Sequence, residues 1–246
     1  MDKEEKSYVT QTFLARAESY NGESHWVTSS DFVSPMVPEM LFGSSVALDV
    51  CSGTGVIARA LAQKGWMVTC ADSSEAMLKK SGACWRVVAD MHHLPFEDST
   101  FDLATLRQGL QYGDIRHCIC EMKRVTRSEI RFGHITMIDG SDMEMSWWLA
   151  YFKIASPGRK TVFYPGQIES AGRDVGLKVS DVKVLYAMDS LLGPIAHLSE
   201  EARTHVRSTW EKAPSWFVQK YRMERLDSGD FLYAHRWEFI TFQVPK

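Results

Sequence analysis

The sequence predicts an α/β fold: a Rossmann-like, mostly parallel seven-stranded sheet with an antiparallel last strand, a helical N-terminal cap and a helical insertion late in the chain. Between Val46 and Ile138, short apolar runs alternate with amphipathic stretches, the pattern of strands joined by crossover helices. The first run, VALDV, passes directly into the glycine-rich Cys51-Ser52-Gly53-Thr54-Gly55. After Asp139 the regularity gives way to an aromatic-rich segment, followed by two more strand-like runs, GLKVSDVKVLY and FLYAHRWEFITFQ.

In chain order, residues 6 to 42 space aromatic side chains as helices do, and Ser29-Ser30-Asp31 ahead of Phe32 and Val33 is a helix-start signal. Two or three short helices are expected there, with Pro35 and Pro38 delaying or kinking the second. The alternating region then reads as strand VALDV, helix Ala58 to Lys64, strand WMVTCAD and helix Ser74 to Lys80. Strands WRVVAD and FDLATLRQ follow, then a helix over 114 to 125 and a strand from His134 to Ile138. Right-handed crossovers between parallel strands place every strand's C-terminal end on one edge, where ligands collect. Residues 141 to 165 look helical, a helix over 165 to 175 stops at Gly176, and a long helical region from Leu198 to Tyr221 separates the last two strands.

Composition narrows the function classes. The chain has 246 residues, 45% of them hydrophobic and 24% charged, which supplies one large core, so a single domain is expected. A formal net charge of -3 offers no general attraction to nucleic acid or anionic lipid. The first residues lack the apolar stretch of a secretory signal, and no run approaches the roughly 18 apolar residues of a spanning helix, so a cytoplasmic protein without membrane partners is expected. The five cysteines are odd in number and form no CxxC pair, so neither a disulfide framework nor a metal site is indicated. Cys118 and Cys120 fall on different faces of their predicted helix, poor geometry for chelating one atom.

The loop after the first strand is the chemical centre of the sequence. Gly53 and Gly55 let the backbone pass close to a ligand. A dinucleotide fingerprint would need glycines at 51, 53 and 56, where the chain has Cys51, Gly53 and Val56. Asp49, just ahead of the loop, would repel a pyrophosphate and favours a cationic, amino-acid-like ligand end. Asp72 closes the second strand 17 positions after Gly55, where a carboxylate can accept from a ribose diol. Asp90-Met91 follows 18 positions later; the acid can accept from an exocyclic adenine amine, and the methionine can pack on the ring.

These segments, LDVCSGTG, CADSSEAML, ADMHHLPFEDSTFDL and RQGLQY with the helix ending EMKRV, resemble the class I S-adenosylmethionine-dependent methyltransferases over about residues 8 to 140. The likeness is greatest to the ubiquinone/menaquinone-biosynthesis-like branch, methyltransferase type 11. It implies S-adenosyl-L-methionine as cofactor and a division of the chain into a cap (1–42), a cofactor-binding core (43–140) and a substrate-side cap with the last two strands (141–246). Asp49, Cys51, Ser52, Gly53, Thr54 and Gly55 would cradle the aminocarboxypropyl end. Asp72, Ser73 and Met77 would take the ribose side, Asp90 and Met91 the adenine, and Arg107 and Gln108 the end of the fourth strand.

Two positions depart from the family pattern: Cys51 stands where glycine is usual, and Arg127-Ser128-Glu129-Ile130 replaces a Pro-Gly-Gly turn before the fifth strand. A Cβ at 51 fits if its φ is negative, and it narrows the cleft near the sulfonium.

Methyl transfer needs a held nucleophile and excluded water more than a catalytic triad. Gln108 and His117 are the catalytic candidates, and Tyr20, Trp26, Tyr112, Asp139, Trp147 and Tyr151 are the acceptor-side ones. Each aromatic has a competing core reading, and His92, His93 and His134 are further imidazoles that could act as bases. The chain shows Leu106-Arg107-Gln108-Gly109 rather than the Pro-Pro-aromatic motif of nucleic-acid amino methyltransferases, which favours a small-molecule acceptor and no nucleic acid partner. A monomer or homodimer is expected. The alternative function is a methyltransferase-like protein that binds the cofactor without methyl transfer, as a regulatory subunit or a sulfonium-assisted cyclase.

Overall fold

The computed structural model describes residues 3–40, 45–82 and 85–245; Cys84 lies outside them. Three helices open the chain, α1 (Lys3–Arg16) and the short α2 (Tyr20–Glu23) and α3 (Ser30–Val33), with 3-10 turns at His25–Val27 and Ser34–Met36. The alternating core runs β1 (Val46–Val50), α4 (Val56–Gln63), β2 (Met67–Asp72), α5 (Glu75–Lys80), β3 (Trp85–Val88), β4 (Phe101–Arg107), α6 (Ile115–Val125) and β5 (Thr126–Thr136). Then come α7 (Asp142–Ala155), α8 (Gln167–Asp174), β6 (Lys178–Ser190), α9 (Leu192–Ile195), α10 (Glu200–Glu211), α11 (Ser215–Lys220), β7 (Glu224–Arg225) and β8 (Phe231–Gln243).

The sheet order is β3-β2-β1-β4-β5-β8-β6, parallel from β3 through β5, with β8 antiparallel to both of its long neighbours. This is the predicted mostly parallel sheet with an antiparallel last strand. The two-residue β7, paired to β8, adds a piece the sequence reading lacks. Strand order reverses between β1 and β4, so the loops leaving them diverge and open a crevice at their C-terminal ends.

Helix packing on the two faces follows the apolar spacing. In α4, Ile57, Ala58 and Leu61 are buried on one stripe, against Met36, Trp237 and Phe239. In α6, Cys118, Ile119, Met122 and Val125 are buried against Leu106, Phe132 and Phe242 on the opposite face, while Cys120 is exposed. Each such large side chain contributes roughly 1.5–3 kcal/mol of burial. The late insertion builds its own aromatic core from Trp148, Trp210, Phe217, Tyr221 and Tyr233. At its centre the fully buried Glu144 accepts from the backbone N–H groups of Ile138 (2.6 Å), Asp139 (3.1 Å) and Gly140 (3.0 Å), and from the Tyr221 hydroxyl. One carboxylate therefore ties the loop leaving β5 to the insertion.

Three boundaries differ from the sequence reading. The fifth strand begins at Thr126 rather than His134: Arg127-Ser128-Glu129-Ile130 is not a turn but strand, with Glu129 opposite Leu103 and Ile130 opposite Ala104. Charges masked its alternation. Arg127 bonds Asp102 and Arg131 bonds Glu129, both at 2.6 Å, on one side, while Ile130, Phe132 and His134 are buried on the other. The region Leu198 to Tyr221 is two helices, split at Ala213-Pro214, because proline has no N–H to continue the ladder. The third strand stops at Val88, and Asp90 instead forms an isolated bridge with His93.

Candidate active site

The loop after β1 curls because three of its five residues are left-handed: Cys51 at φ +54°, Gly53 at +52° and Gly55 at +74°. The backbone thus does not meet the condition of a negative φ at Cys51. Its neighbour across the crevice compensates. Gly109, at φ +133°, has no side chain where a Cβ would come within 2.7 Å of the Cys51 Cβ. Cys51 Sγ lies 3.5 Å from Met91 Sδ, and burial pushes its thiol well above the ordinary range, so it is a shape-giving group rather than a thiolate. Gly55 is a packing residue, since a Cβ there would meet Ser81 Cβ at 2.6 Å.

A cavity of about 1020 Å³, counting its open mouth, lies over these strand ends. Asp49, Cys51, Ser52, Gly53, Thr54, Asp72, Ser73, Met77, Asp90, Met91, Arg107 and Gln108 all line it; of the expected cofactor residues, Gly55 alone does not. The three acids differ in environment. Asp49 is buried; its Oδ1 accepts from Thr105 Oγ1 (2.8 Å), its Oδ2 makes no hydrogen bond within 3.5 Å, and burial pushes its carboxyl up to about 7 against the pull of Thr105, Arg107 and the Ala58 amide. Asp72 accepts from the Gly53 N–H on Oδ2 and the Ser74 N–H on Oδ1, both at 2.8 Å, which orients its carboxylate and leaves each oxygen with further acceptor capacity. Burial raises its pKa, while those amide bonds act in the opposite direction. Asp90 accepts from the His92 N–H (3.1 Å) and ring Nδ1 (2.7 Å). His92 Nε2 in turn accepts from the Asp114 N–H (2.9 Å), which sets the proton on Nδ1 and makes His92 a positioning group.

Arg107 closes the cavity from the cap side. Its Nη2 donates to the Val27 carbonyl (2.8 Å) and its Nη1 to those of Trp26 (3.2 Å) and Phe32 (3.4 Å), so a cation from β4 holds the N-terminal turns in place. Thr54 Oγ1 donates to Asn21 Oδ1 (2.6 Å), a second tie between loop and cap.

A second space of about 730 Å³ adjoins the first and shares Phe13, Tyr20, Trp26, Gln108, Gln111 and Tyr112 with it. Tyr151 also lines it. The structure therefore brings four of the acceptor-side candidates together, namely Tyr20, Trp26, Tyr112 and Tyr151. Asp139 and Trp147 are elsewhere: Asp139 is exposed and ion-paired to Lys220 (2.5 Å), and Trp147 packs on Phe217 with ring centroids 4.6 Å apart. His117 is exposed on α6, edge-on to His92 and His93, and does not line either space. His134 is buried beneath the sheet's surface with both ring nitrogens unpartnered, and burial pushes it down to about 3, which keeps it neutral. Sequence reasoning missed Phe13 and Gln111, whose Oε1 accepts from the Gly109 N–H (2.7 Å), and the whole contribution of Arg159, Asp189, Tyr233 and His235 to the second space.

Residues 48–132 match the profile of the family described as "Methyltransferase domain". That span holds the loop, the three acids and strands β1 to β4, and ends within β5. Residues 48–132 are a class I methyltransferase domain. The chain is 32% identical over 96 residues to demethylmenaquinone methyltransferase of Thermobifida fusca, a match covering 35% of this chain and 41% of that protein. It is 34% identical over 110 residues to malonyl-(acyl-carrier protein) O-methyltransferase of Hamiltonella defensa, covering 42% of this chain and 43% of that one. The matches thus span about two fifths of these relatives' length. A solved structure from Bacillus halodurans superposes with a TM-score of 0.79 at 17% identity, covering 89% of this chain and all of that one, and so shares the fold of the methyltransferase domain and its caps. Among the described residues no helix is long and apolar enough to cross a membrane.

Proposed function

We propose that the chain binds S-adenosylmethionine in the cavity over the strand ends and transfers its methyl group to a small molecule held in the adjoining one. The observation that carries this is the unpartnered, buried Oδ2 of Asp49. A buried carboxylate oxygen without a donor is costly unless a ligand supplies one, and an α-ammonium group is a cationic donor of the right kind. The rest of the lining fits the same molecule. Asp72, held by two amides, accepts from the ribose hydroxyls; Asp90, aimed by His92, accepts from the adenine amine; and Met77 and Met91 pack on the ring faces.

The bound cofactor supplies an electrophilic methyl on a sulfonium. The chain's own residues orient and exclude water: Arg107 seals the cap, and Cys51 with Gly109 shapes the wall near the transfer point. Gln108, whose Nε2 is buried without a partner where the two spaces meet, holds the acceptor or the cofactor by donation. The names of the relatives from Thermobifida and Hamiltonella support methyl transfer and differ in acceptor. The cap, core and substrate-side segments (1–42, 43–140 and 141–246) act as one domain, in the cytoplasm, on a small acceptor rather than nucleic acid, as a monomer or homodimer.

Asp72→Ala is expected to weaken S-adenosylhomocysteine binding by about 1–3 kcal/mol, the cost of losing charged hydrogen bonds, read by isothermal titration calorimetry. Unchanged affinity in that variant would refute the cofactor placement. Transfer is read separately with methyl-labelled cofactor and cell extract, where label must appear in a low-molecular-weight product; binding without such a product is the outcome that refutes transfer.

A further inference from the structure

The second chamber contains a cation with no described carboxylate at ion-pair distance. Arg159 follows α7; its Nε donates to the Thr161 carbonyl (2.9 Å), and its guanidinium carbon sits 3.9 Å from the centroid of the Phe152 ring. Among the described residues no carboxylate lies within ion-pair distance of it, and the side chain is half-buried, its Nη nitrogens open to solvent and bonded to no described protein atom. The charge-bearing groups that feel it are phenols, Tyr112, Tyr151 and Tyr233. Burial raises the hydroxyl pKa of Tyr151 and Tyr233, so these phenols stay neutral and cannot offset a guanidinium. Burial lowers the pKa of Arg159 itself from a value so high that the charge remains at neutral pH.

Arg16 is the second cation, and it is spent on Glu23 at 2.5 Å. Asp189, the carboxylate of the chamber, accepts from the Ser190 N–H (2.9 Å) on Oδ1, while its buried Oδ2 faces His235 Nε2 at 3.9 Å without a hydrogen bond, and burial raises its pKa, which favours the neutral acid. His235 is buried, its Nε2 has no hydrogen-bond partner, and burial, followed by the field of Arg159, pushes it down to about 3. A neutral imidazole nitrogen without a hydrogen bond and a guanidinium without an ion-pair partner line one aromatic-walled space. A guanidinium placed in this way can receive the anion of a ligand.

We infer that the second chamber binds a flat aromatic acid, its carboxylate on the Nη edge of Arg159 and its ring on the wall formed by Phe13, Tyr112, Tyr151 and Phe152. The inference rests on the reading of this chamber as the acceptor site: the acceptor is then an organic anion rather than a neutral alcohol or amine. Guanidinium presents a planar fork to a carboxylate, which positions the ligand as well as attracting it.

The test is calorimetric titration of the full chain with 2-naphthoate, its neutral isostere 2-naphthamide, and decanoate, each with and without saturating S-adenosylhomocysteine. Naphthoate is expected to bind at least about tenfold more tightly than naphthamide, as a charge-assisted pair requires, and more tightly than decanoate. Arg159→Met should abolish the preference over naphthamide, and Arg159→Lys should restore part of it. S-adenosylhomocysteine affinity should be the same in both variants as in the parent, which also shows that they fold. Naphthamide binding as tightly as naphthoate to the unmutated chain overturns the anion site, as does a preference that survives in Arg159→Met; decanoate binding as tightly as naphthoate overturns the aromatic part. If S-adenosylhomocysteine fails to bind, the cofactor reading falls, while the naphthoate and naphthamide comparison on the free chain still decides this one.

Discussion

Gly109→Ala is expected to destabilise the chain by about 2–6 kcal/mol, seen as a fall in the urea midpoint. Two costs of about 1–3 kcal/mol each combine: a side chain at φ +133°, and overlap with a well-packed neighbour. The neighbour is Cys51, whose Cβ and Sγ would lie 2.7 Å and 2.9 Å from the new methyl. Cys51 is held by its own left-handed backbone and cannot swing aside as a long flexible side chain would. The double variant Cys51→Gly with Gly109→Ala should recover the overlap cost and leave the backbone cost, giving a coupling energy between the sites of about 1–3 kcal/mol. Strictly additive effects would mean that the two residues do not share one space.

How much of this was readable in advance follows from how local each signal is. The loop from Val46 to Gly55 and the acids Asp49, Asp72 and Asp90 sit at strand ends within one run of βα units. Spacing alone brings them to one crevice, and the structure places all three acids on one cavity. The φ of Cys51 was not readable, because whether a non-glycine residue takes the left-handed region depends on what faces it, here Gly109, distant in sequence. The start of β5 was obscured because Arg127, Glu129 and Arg131 read as surface turn until their pairing partners are known. The second chamber was legible only in part. Tyr20, Trp26, Tyr112 and Tyr151 stood out as aromatics outside the strands, but Arg159, Asp189 and His235 come from a loop and two antiparallel strands with no common motif, and only the sheet order makes them neighbours. Asp139 and Trp147 drew attention by position and residue type. Lys220 and the aromatic core of the insertion claim them instead.

S-adenosylmethionine affinity is expected to rise with pH between about 5.5 and 7.5 and then level off, because Asp49 must be ionised to hold an ammonium group. Its carboxyl is pushed up to about 7 from 3.8, chiefly by burial, with Thr105, Arg107 and the Ala58 amide acting against the rise. The sign for the unliganded fold is the reverse of the usual carboxylate case. Folded chains hold this proton at pH values where unfolded chains have released it, so the group's contribution to stability is fully present below pH 3.8 and is lost as pH climbs from there to about 7. The displacement corresponds to about 4 kcal/mol over that window. Asp49→Asn keeps the acceptor for Thr105 and removes the charge. At pH 8 the unliganded variant should therefore unfold at higher urea than the parent, while its S-adenosylmethionine affinity falls at least tenfold and loses its pH slope. In the parent, affinity should change by close to tenfold per pH unit well below 7, the limit for one required deprotonation. A flat profile from pH 5.5 to 7.5 would show that Asp49 does not face the ammonium. A variant that gains stability and loses ligand together would show that the buried, half-satisfied carboxylate is a stability defect retained for binding.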